Sequence, residues 1–389
     1  MATKKKTPAP TPPSSTTSTS TTAPAKTRTR KSTATATTTP TTAPASIAAA
    51  ATLIPTLVEP AASSTKPTTR TAKKPTDDGE RRSAARIQRP RVLVTGAASA
   101  LGRVLCRRLH RQYDVLAIDT RGFPDRPKDV EHHEVDLRRK AAQTLIKKKK
   151  PELVVHIGPL HDERARLRGS GLLESTATLL KLVEQVGARK LVVLSSALLY
   201  GPSPTSAAFL SEDAALLGGQ RHPRMADAIA VDMMVQSSFW KSPTTETVIL
   251  RPVHLIGPHL DNLVSRVLRQ QHMPTLLGFD PMLQLLHEDD LVDAVALALQ
   301  PGPRGVVNVV GPTQAPLSRI LEARQITSWP LPAPLLAAAL TRLGALRLTR
   351  VDERDLVHLK YSCLVDGRRA EKVLGFNARR ALKDALADL

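Results

Sequence analysis

The chain reads Val92-Leu93-Val94-Thr95-Gly96-Ala97-Ala98-Ser99-Ala100-Leu101-Gly102, which predicts a strand, a tight turn and a helix in succession. The apolar run that ends at Val94 is short and follows a proline, as is typical of a buried parallel strand. Gly96 is expected to turn the chain, and Gly102 to leave room for the helix to lie against the strand. Because the N–H groups at the start of a helix attract anions, this stretch predicts a site for the pyrophosphate of a dinucleotide.

An acidic residue downstream supports the same interpretation. Asp119 ends the next apolar run, about 20 residues beyond the turn, where a carboxylate would accept the ribose hydroxyls of NAD. Arg121 follows two residues later and would suit the additional phosphate of NADP. The sequence therefore favours NAD and leaves NADP open.

Short apolar runs alternate with helix-length segments from Pro90 to about residue 195. This alternation predicts a parallel sheet covered by helices on both faces, with right-handed crossovers, which is a doubly wound Rossmann sheet. We expect strands at 92–95, 115–119, 130–135, 153–157 and 191–195, and helices at 101–112, 139–150, 171–186 and 222–239. Ligands bind at the carboxyl ends of such strands, where Gly96, Asp119, Gly158 and Ser196 fall. Beyond residue 250 the pattern is mixed.

Five segments resemble, in order and spacing, the motifs of the extended short-chain dehydrogenase/reductase family, which contains sugar-nucleotide epimerases and dehydratases. The resemblance covers residues 91–389, and Ser99 stands where the middle glycine of the family's TGxxGxxG turn is usual. The run Leu283–Glu288 and the ending Asp366–Phe376 are similar to a mycobacterial branch of epimerase-like proteins. The five segments are Thr95–Gly102, Val155–Gly158, Ser195–Gly201, Leu250–Pro258 and Leu286–Asp290.

The resemblance implies an NAD-binding Rossmann domain over residues 91–252 and a smaller, mixed α/β substrate lobe with C-terminal helices over 253–389. It implies a nucleotide sugar or related small molecule as ligand, and a homodimer formed through a four-helix interface. Arg251 is expected either to reach a substrate diphosphate or to brace the lobe. The implied cofactor-binding residues are Thr95, Gly96, Ser99, Ala100, Leu101, Gly102, Asp119, Asp136, Gly158 and Ser196.

The family's working pair is a tyrosine that exchanges a proton and a lysine one helical turn later, in the motif YxxxK. The helix expected to carry the pair is 222–239, where one register gives Arg224 and Ala228 and the next gives Met225 and Ile229. The absence of the motif does not depend on this alignment. The tyrosines are Tyr113, Tyr200 and Tyr361, and the residues four places later are Ala117, Pro204 and Val365. The sequence therefore predicts that the catalytic dyad is lost.

Three candidate side chains have two interpretations each. Asp136 is expected either to lie near the adenine or to cap the following helix. Ser196 is either a catalytic helper or a solvated residue at a strand end. His222 is either a substitute acid and base or an exposed residue at a helix start. An active enzyme of the same family, with His222 and Ser196 in these roles, is therefore an alternative to a catalytically weak or inert NAD-binding protein.

Residues 1–90 differ in composition from the rest of the chain. They contain no Phe, Trp or Tyr, are dominated by Thr, Ala, Pro, Ser and Lys, and carry a net charge of +11 from 15 basic and 4 acidic residues. Such a segment is expected to be disordered, because it cannot bury enough apolar surface. Its charge would attract nucleic acid or another anionic surface, and binding through this segment is a third hypothesis for the function. The alternative is that the charge only increases solubility.

Targeting features are few in this sequence. The most apolar stretch before the predicted domain, Ile47–Val58, is short and broken by Pro55, so no membrane span is expected. Two cysteines, Cys106 and Cys363, fit a reducing compartment and predict a cytoplasmic location. Cys106 is expected to be buried in the first helix, and no spacing of Cys and His predicts a metal site.

Overall fold

Parallel strands form the central sheet of the computed structural model, which describes residues 89–157, 171–221, 223–345 and 356–389. The strands are β1 (Arg91–Thr95), β2 (Asp114–Asp119), β3 (Glu131–Glu134), β4 (Leu153–Ile157), β5 (Lys190–Leu194), β6 (Glu246–Pro252), β7 (His254–Ile256), β8 (His272–Leu276), β9 (Met282–His287), β10 (Gly305–Val309), β11 (Gln314–Pro316) and β12 (Thr327–Leu331). Seven of them pair side by side in the order β10-β6-β5-β4-β1-β2-β3. Every pairing in this sheet is parallel.

Helices connect most of these strands and cover both faces of the sheet. They are α1 (Ala100–Leu109), α2 (Lys140–Lys149), α3 (Leu172–Val186), α4 (Gly218–Arg221), α5 (Pro223–Lys241), α6 (Leu263–Leu268), α7 (Glu288–Ala298), α8 (Leu317–Ala323), α9 (Ala333–Ala345), α10 (Leu356–Lys360), α11 (Arg368–Leu374) and α12 (Leu382–Ala387), with a 3-10 turn at Ala197–Tyr200. One apolar cluster joins β1 to α1 and α7, and a second joins the opposite face to α3 and α5. The predicted Rossmann sheet is therefore confirmed.

The strand and helix positions agree with the sequence expectations to within a few residues. The largest difference is α1, which ends at Leu109 rather than at residue 112. Beyond it the N–H groups of Gln112 and Tyr113 both donate to the Leu109 carbonyl, so the chain turns back toward β2. Burial of Cys106 is confirmed, and it raises the pKa of that thiol to about 12.

Two smaller sheets lie beyond β6. β9 pairs in parallel with β7 and antiparallel with β11, and β8 pairs in parallel with β12. β10 returns to the large sheet and pairs with β6, although it follows the boundary expected at residue 252. The division of the chain into domains 91–252 and 253–389 stays a prediction.

The contact between α1 and β1 depends on two glycines. Gly96 has a φ of +74°, a left-handed conformation that side chains with a Cβ rarely adopt. Gly102 lies so close to the turn that a Cβ there would come within 2.3 Å of the Gly96 carbonyl oxygen. The helix therefore packs on its strand only because residue 102 has no side chain.

We expect Gly102→Ala to lower the free energy of unfolding by about 3 kcal/mol or to prevent folding, because the added methyl overlaps backbone that cannot easily move. Gly187→Ala is the matched control. Unlike Gly102, Gly187 has a positive φ, of 68°, but nothing lies within 4 Å of its Cβ position, so backbone strain alone should cost about 1 kcal/mol. Urea denaturation measures both, and equal losses would contradict the packing argument.

Candidate functional site

The turn between β1 and α1 presents backbone donors at the carboxyl edge of the sheet. Ser99 is the N-cap of α1: its hydroxyl donates to the Gly96 carbonyl (2.6 Å) and accepts the Gly102 N–H (3.0 Å). The Ser99 side chain is thereby held inside the turn and is 2% exposed. It does not serve as a free donor beside the pyrophosphate position.

The next two N–H groups have no acceptor. Within the described residues, neither the Ala100 nor the Leu101 N–H makes a hydrogen bond, as expected for the first turn of a helix. These donors carry the positive end of the helix dipole, which favours a bound anion. A pyrophosphate fits this donor set.

Asp119 ends β2 beside this turn. Its carboxylate accepts hydrogen bonds from the Ala98 N–H (3.0 Å) and from the Arg121 N–H (3.0 Å), Nε (3.1 Å) and Nη2 (3.4 Å). A carboxylate offers roughly four acceptor positions, so those of Asp119 are filled. A ribose hydroxyl at Asp119 would take the place of an Arg121 side-chain contact.

Thr95 and His156 lie beneath the turn, at the ends of β1 and β4. Thr95 Oγ1 and His156 Nδ1 are 2.7 Å apart, and His156 Nε2 is 3.2 Å from Thr176 Oγ1 in α3. All three residues are buried. Burial lowers the pKa of His156 to about 4, so the ring is neutral and both of its nitrogens serve structural hydrogen bonds. Thr95 therefore supports the turn through its side chain.

Asp136 follows β3 at the same edge of the sheet. Its carboxylate accepts the Arg138 N–H (2.9 Å) and pairs with the Arg138 guanidinium, at 2.6 Å from Oδ2 to Nη2. Hydrogen bonding to Arg138 holds the pKa of Asp136 below its usual range. The N-cap of α2 is Arg139, so the interpretation of Asp136 as the helix cap is wrong.

Helix α5, which was expected to carry the tyrosine and the lysine, has apolar residues at the end of β5. Met225 and Ala228 are 7% and 5% exposed and pack against Leu199. Ser195 donates its hydroxyl to Asp232, and Ser196 Oγ accepts the Leu198 N–H (3.2 Å). Ser196 is buried rather than solvated, since it is 3% exposed.

The predicted Gly158 and His222 lie outside the described residues, as do residues 1–88 of the expected tail.

Arg251 is the centre of a buried polar network. Its guanidinium donates to Asp232 through Nε (3.1 Å) and Nη2 (2.6 Å), and through Nη1 to the Tyr200 hydroxyl (2.8 Å) and the Glu212 carbonyl (3.0 Å). Tyr200 in turn donates to Asn308 Oδ1 (2.9 Å). Arg251 is 1% exposed, so of the two expectations the bracing role matches this environment. Burial raises the pKa of Tyr200, so its phenol stays protonated at neutral pH and is a weaker acid than an exposed tyrosine.

A cleft opens next to this network. Its wall is formed by the segment after the 3-10 turn, by the start of α4 and α5, and by α10. The lining residues are Gly201, Pro202, Ser203, Leu217, Gly218, Gln220, Met225, Val357 and His358. The cleft thus lies at the carboxyl edge of the sheet, beside the apolar positions of α5.

A model of the NAD dependent epimerase/dehydratase family matches residues 92–311, which is more than half of the chain. The chain belongs to this family. An uncharacterized protein of Mycobacterium tuberculosis is 26% identical over 313 residues, which cover 76% of this chain and 82% of that protein. The resemblance inferred from the five sequence motifs is therefore confirmed.

Solved structures of the family share the fold. UDP-glucuronic acid 4-epimerase from Bacillus cereus, solved with UDP-glucuronic acid and NAD, superposes with a TM-score of 0.59 at 17% identity and covers 77% of this chain and 97% of its own. UDP-glucose 4-epimerase from Thermotoga maritima, solved with UDP-glucose, gives a TM-score of 0.57 at 18% identity. That match covers 76% of this chain and 96% of the epimerase chain.

Within the described residues of our chain, no helix combines the length and apolarity needed to cross a bilayer.

The sequence did not predict a role for several residues that the structure places at the site. His156 and Asn308 each lie within a short apolar strand, LVVHI and GVVNV, and such an isolated polar residue is the signal that could have found them. The contact of Glu212 with the Asn308 N–H (2.9 Å) has no local signal, because it spans 96 residues.

We expect the protein to lose stability as pH falls through the range set by His156. The unfolded ring takes up a proton near pH 6.5 and the folded ring only near pH 4, so acid favours the unfolded chain. Between pH 7 and pH 4.5 this term alone removes on the order of 2–3 kcal/mol. Urea denaturation of wild type and His156→Gln at both values isolates it, and an identical pH dependence in the two proteins would contradict the assignment.

We expect Arg251→Met to lower the free energy of unfolding by about 3–5 kcal/mol, because Asp232 is left as an uncompensated buried charge. The double variant Arg251→Met with Asp232→Leu is expected to recover most of that loss. Denaturant titration measures both proteins. An Arg251→Met protein as stable as wild type would contradict the bracing role of Arg251.

Proposed function

We propose that this chain binds NAD at the carboxyl edge of β1 and β2 and that it does so without the family's Tyr/Lys proton transfer, as a catalytically weak or inert, ligand-responsive protein. The observation that carries the proposal is the contrast between the two halves of the site. The donors for a dinucleotide are in place at the start of α1, and the chain has no YxxxK sequence.

The cofactor half rests on few groups. The Ala100 and Leu101 N–H groups would hold the pyrophosphate, Asp119 the ribose hydroxyls, and Asp136 would lie toward the adenine. Bound NAD would supply a hydride acceptor. The Arg121 side chain, now bound to Asp119, would have to yield to the ribose or turn to the additional phosphate of NADP. Since Asp119 carries a negative charge, NAD is the favoured cofactor.

The proton-transfer half lacks the family's tyrosine and lysine at the expected positions. In one register Ala228 would replace the lysine, and in the other Met225 would replace the tyrosine; both pack against apolar Leu199. The hydroxyls of Ser195 and Tyr200 are already committed to Asp232 and Asn308. These contacts support a protein that binds its ligand but transfers a proton poorly.

A nucleotide sugar is the second ligand that we propose. The structural relatives include proteins solved with UDP-glucuronic acid and UDP-glucose, and the cleft beside α5 adjoins the proposed nicotinamide end of the site. Its lining combines glycine backbone, the Gln220 amide and His358 with apolar side chains, which suits a polar ring that has hydrophobic faces.

We expect millimolar NAD to raise the melting temperature by several °C and NADP to raise it less, because a ligand of the folded state stabilises it by mass action. Asp119→Ala should weaken NAD binding by about ten- to a hundredfold, as loss of a charge-assisted hydrogen bond predicts. Asp114→Ala is the matched control: it changes an aspartate at the opposite end of β2 and should leave NAD affinity unchanged. Thermal shift and calorimetry measure these effects.

Two results would overturn the proposal. The absence of any heat or thermal shift with either dinucleotide would remove the cofactor site. Turnover of UDP-glucose or UDP-glucuronic acid with NAD, at rates typical of enzymes, would disprove the loss of proton transfer. In that case His222→Ala tests the substitute acid and base, since the alternative enzyme hypothesis requires this variant to be inactive.

A further inference from the structure

We propose that the amino edge of the large sheet, where its parallel strands begin, binds the phosphate backbone of double-stranded DNA without reading the base sequence. We call this surface the basic edge and define it by the segments that lead into β1, β2, β3, β4, β5, β6 and β10. It lies at the opposite edge of the sheet from the proposed NAD site. The segments are residues 89–91, 107–114, 126–131, 147–153, 186–190, 241–246 and 299–305.

The basic edge has a large surplus of positive charge. Its seven segments carry 15 lysines and arginines and five acidic residues. Five helices end there, α1, α2, α3, α5 and α7, and each presents about half a negative charge at its last turn. Cations that offset the helix dipoles therefore account for only two to three of the ten surplus charges, by that estimate.

Backbone and side-chain hydrogen bonds join these segments into one continuous edge. The Arg91 guanidinium donates to the Lys149 carbonyl (3.0 Å), and the Glu152 N–H donates to the Arg91 carbonyl (3.1 Å). The Arg189 N–H donates to the Glu152 carbonyl (2.9 Å), and the Glu246 N–H donates to the Arg189 carbonyl (2.8 Å). The end of α2 and the starts of β1, β4, β5 and β6 are thus linked in turn.

The flanking strands are joined to the same edge. The Glu246 carboxylate accepts the Gly302 N–H (3.0 Å), which attaches the segment before β10. The Asp114 N–H donates to the Pro90 carbonyl (3.1 Å), which attaches the start of β2. The cations of the basic edge therefore have backbone positions that the sheet itself fixes.

The acidic residues of the basic edge are already paired with basic side chains of the same edge, at 2.5 to 3.5 Å. The pairs are Asp114 with Arg91, Asp129 with His110, Glu131 with Lys149, Glu152 with Arg189, and Glu246 with Lys190.

Exposed cations remain beyond these pairs. Lys147, Lys148 and Lys150 at the end of α2 and Arg111 after α1 are exposed, and none of the described residues gives them an acidic partner. Such side chains are available to phosphate groups, and each contact releases counterions from the nucleic acid.

The length of the edge suits a duplex. Neighbouring strands lie about 4.8 Å apart, so the seven strand starts span roughly 29 Å. One helical turn of B-DNA is about 34–36 Å long and carries one phosphate charge per ~1.7 Å of its axis. A row of cations held by a sheet therefore matches most of one turn of a stiff polyanion.

Single-stranded nucleic acid and anionic bilayers fit the basic edge less well. Proteins that bind single strands stack the bases on aromatic side chains, and proteins that lie on a bilayer insert apolar side chains. Among the described residues, nine large hydrophobic side chains are exposed, and none of them falls in the seven segments; Trp240 precedes one segment. Binding to duplex phosphates requires only the positive charge that is present.

The basic N-terminal part of the chain is attached at this edge. Arg89, the first described residue, donates to the His110 carbonyl (3.1 Å) at the end of α1. The sequence up to residue 90 has a net charge of +11, so it attracts the same polyanion. The experiment must therefore separate the charge of the basic edge from that of residues 1–90.

The test measures binding of the full chain to a labelled DNA duplex of about 20 base pairs by fluorescence anisotropy, over a range of salt concentrations. Lys147→Gln combined with Lys148→Gln should weaken binding by about tenfold at roughly 100 mM salt. The slope of log K against log salt concentration should become shallower by about 2, because two phosphate contacts are lost.

Arg139→Gln combined with Lys140→Gln is the matched control. It removes the same charge from exposed positions at the start of the same helix, α2, while residues 1–90 stay unchanged. The affinity for the duplex should stay within about twofold of wild type and the salt slope should be unchanged, because these side chains lie away from the basic edge. Urea denaturation of both double variants shows that the fold is retained.

Three results would overturn the proposal. Equal losses in the two double variants, or no loss in either, would assign the attraction to overall charge or to residues 1–90. Tighter binding of a single strand of the same length would exclude a duplex site. Displacement of the duplex by vesicles of phosphatidylcholine and phosphatidylglycerol, at equal phosphate concentration, would assign the edge to a membrane surface. None of these results bears on NAD binding, which the thermal-shift experiment decides independently.

Discussion

The close approach of α1 to β1 is the constraint on which the site depends. It is possible because Gly102 has no side chain where a Cβ would meet the Gly96 carbonyl oxygen at 2.3 Å. This approach sets the start of the helix, leaves the Ala100 and Leu101 N–H groups without an acceptor, and brings the Ala98 N–H to Asp119. Ser99 is accommodated in the same turn because its hydroxyl bonds backbone atoms of the turn itself. A serine at this position therefore caps the helix and, within the described residues, leaves the Ala100 and Leu101 N–H groups without an acceptor.

A second set of interactions ties the far side of the sheet to α5. Asp232 accepts the Ser195 hydroxyl, the Arg251 guanidinium and the Gln236 amide, and through Tyr200 and Asn308 the network reaches β10. Buried charges are tolerated only when they are paired and hydrogen-bonded, and each donor of this group has a partner. The network holds the wall of the cleft by polar contacts, while Met225 and Ala228, one position from each register considered for the dyad, pack among apolar side chains.

The two halves of the site thus rest on different physics. In the proposed function backbone N–H groups would hold the cofactor, and backbone donors persist through side-chain substitution as long as the glycines remain. Proton transfer depends on particular side chains with shifted pKa values, and these are lost by single substitutions. A family member can therefore keep the nucleotide-binding turn when the catalytic side chains are absent.

The sequence by itself determined the sheet, its parallel strands, the glycine turn and the absence of YxxxK, because each is written in local periodicity or in residue identity. Strands β1 to β5 and their helices followed from short apolar runs, and their bounds needed only small adjustment. Only the tertiary structure decided what the polar residues do. Arg251 meets Asp232, Tyr200 and Glu212, and His156 meets Thr95, across 19 to 61 residues of chain. Such pairs form because folding brings distant strand ends together, and no local pattern records them.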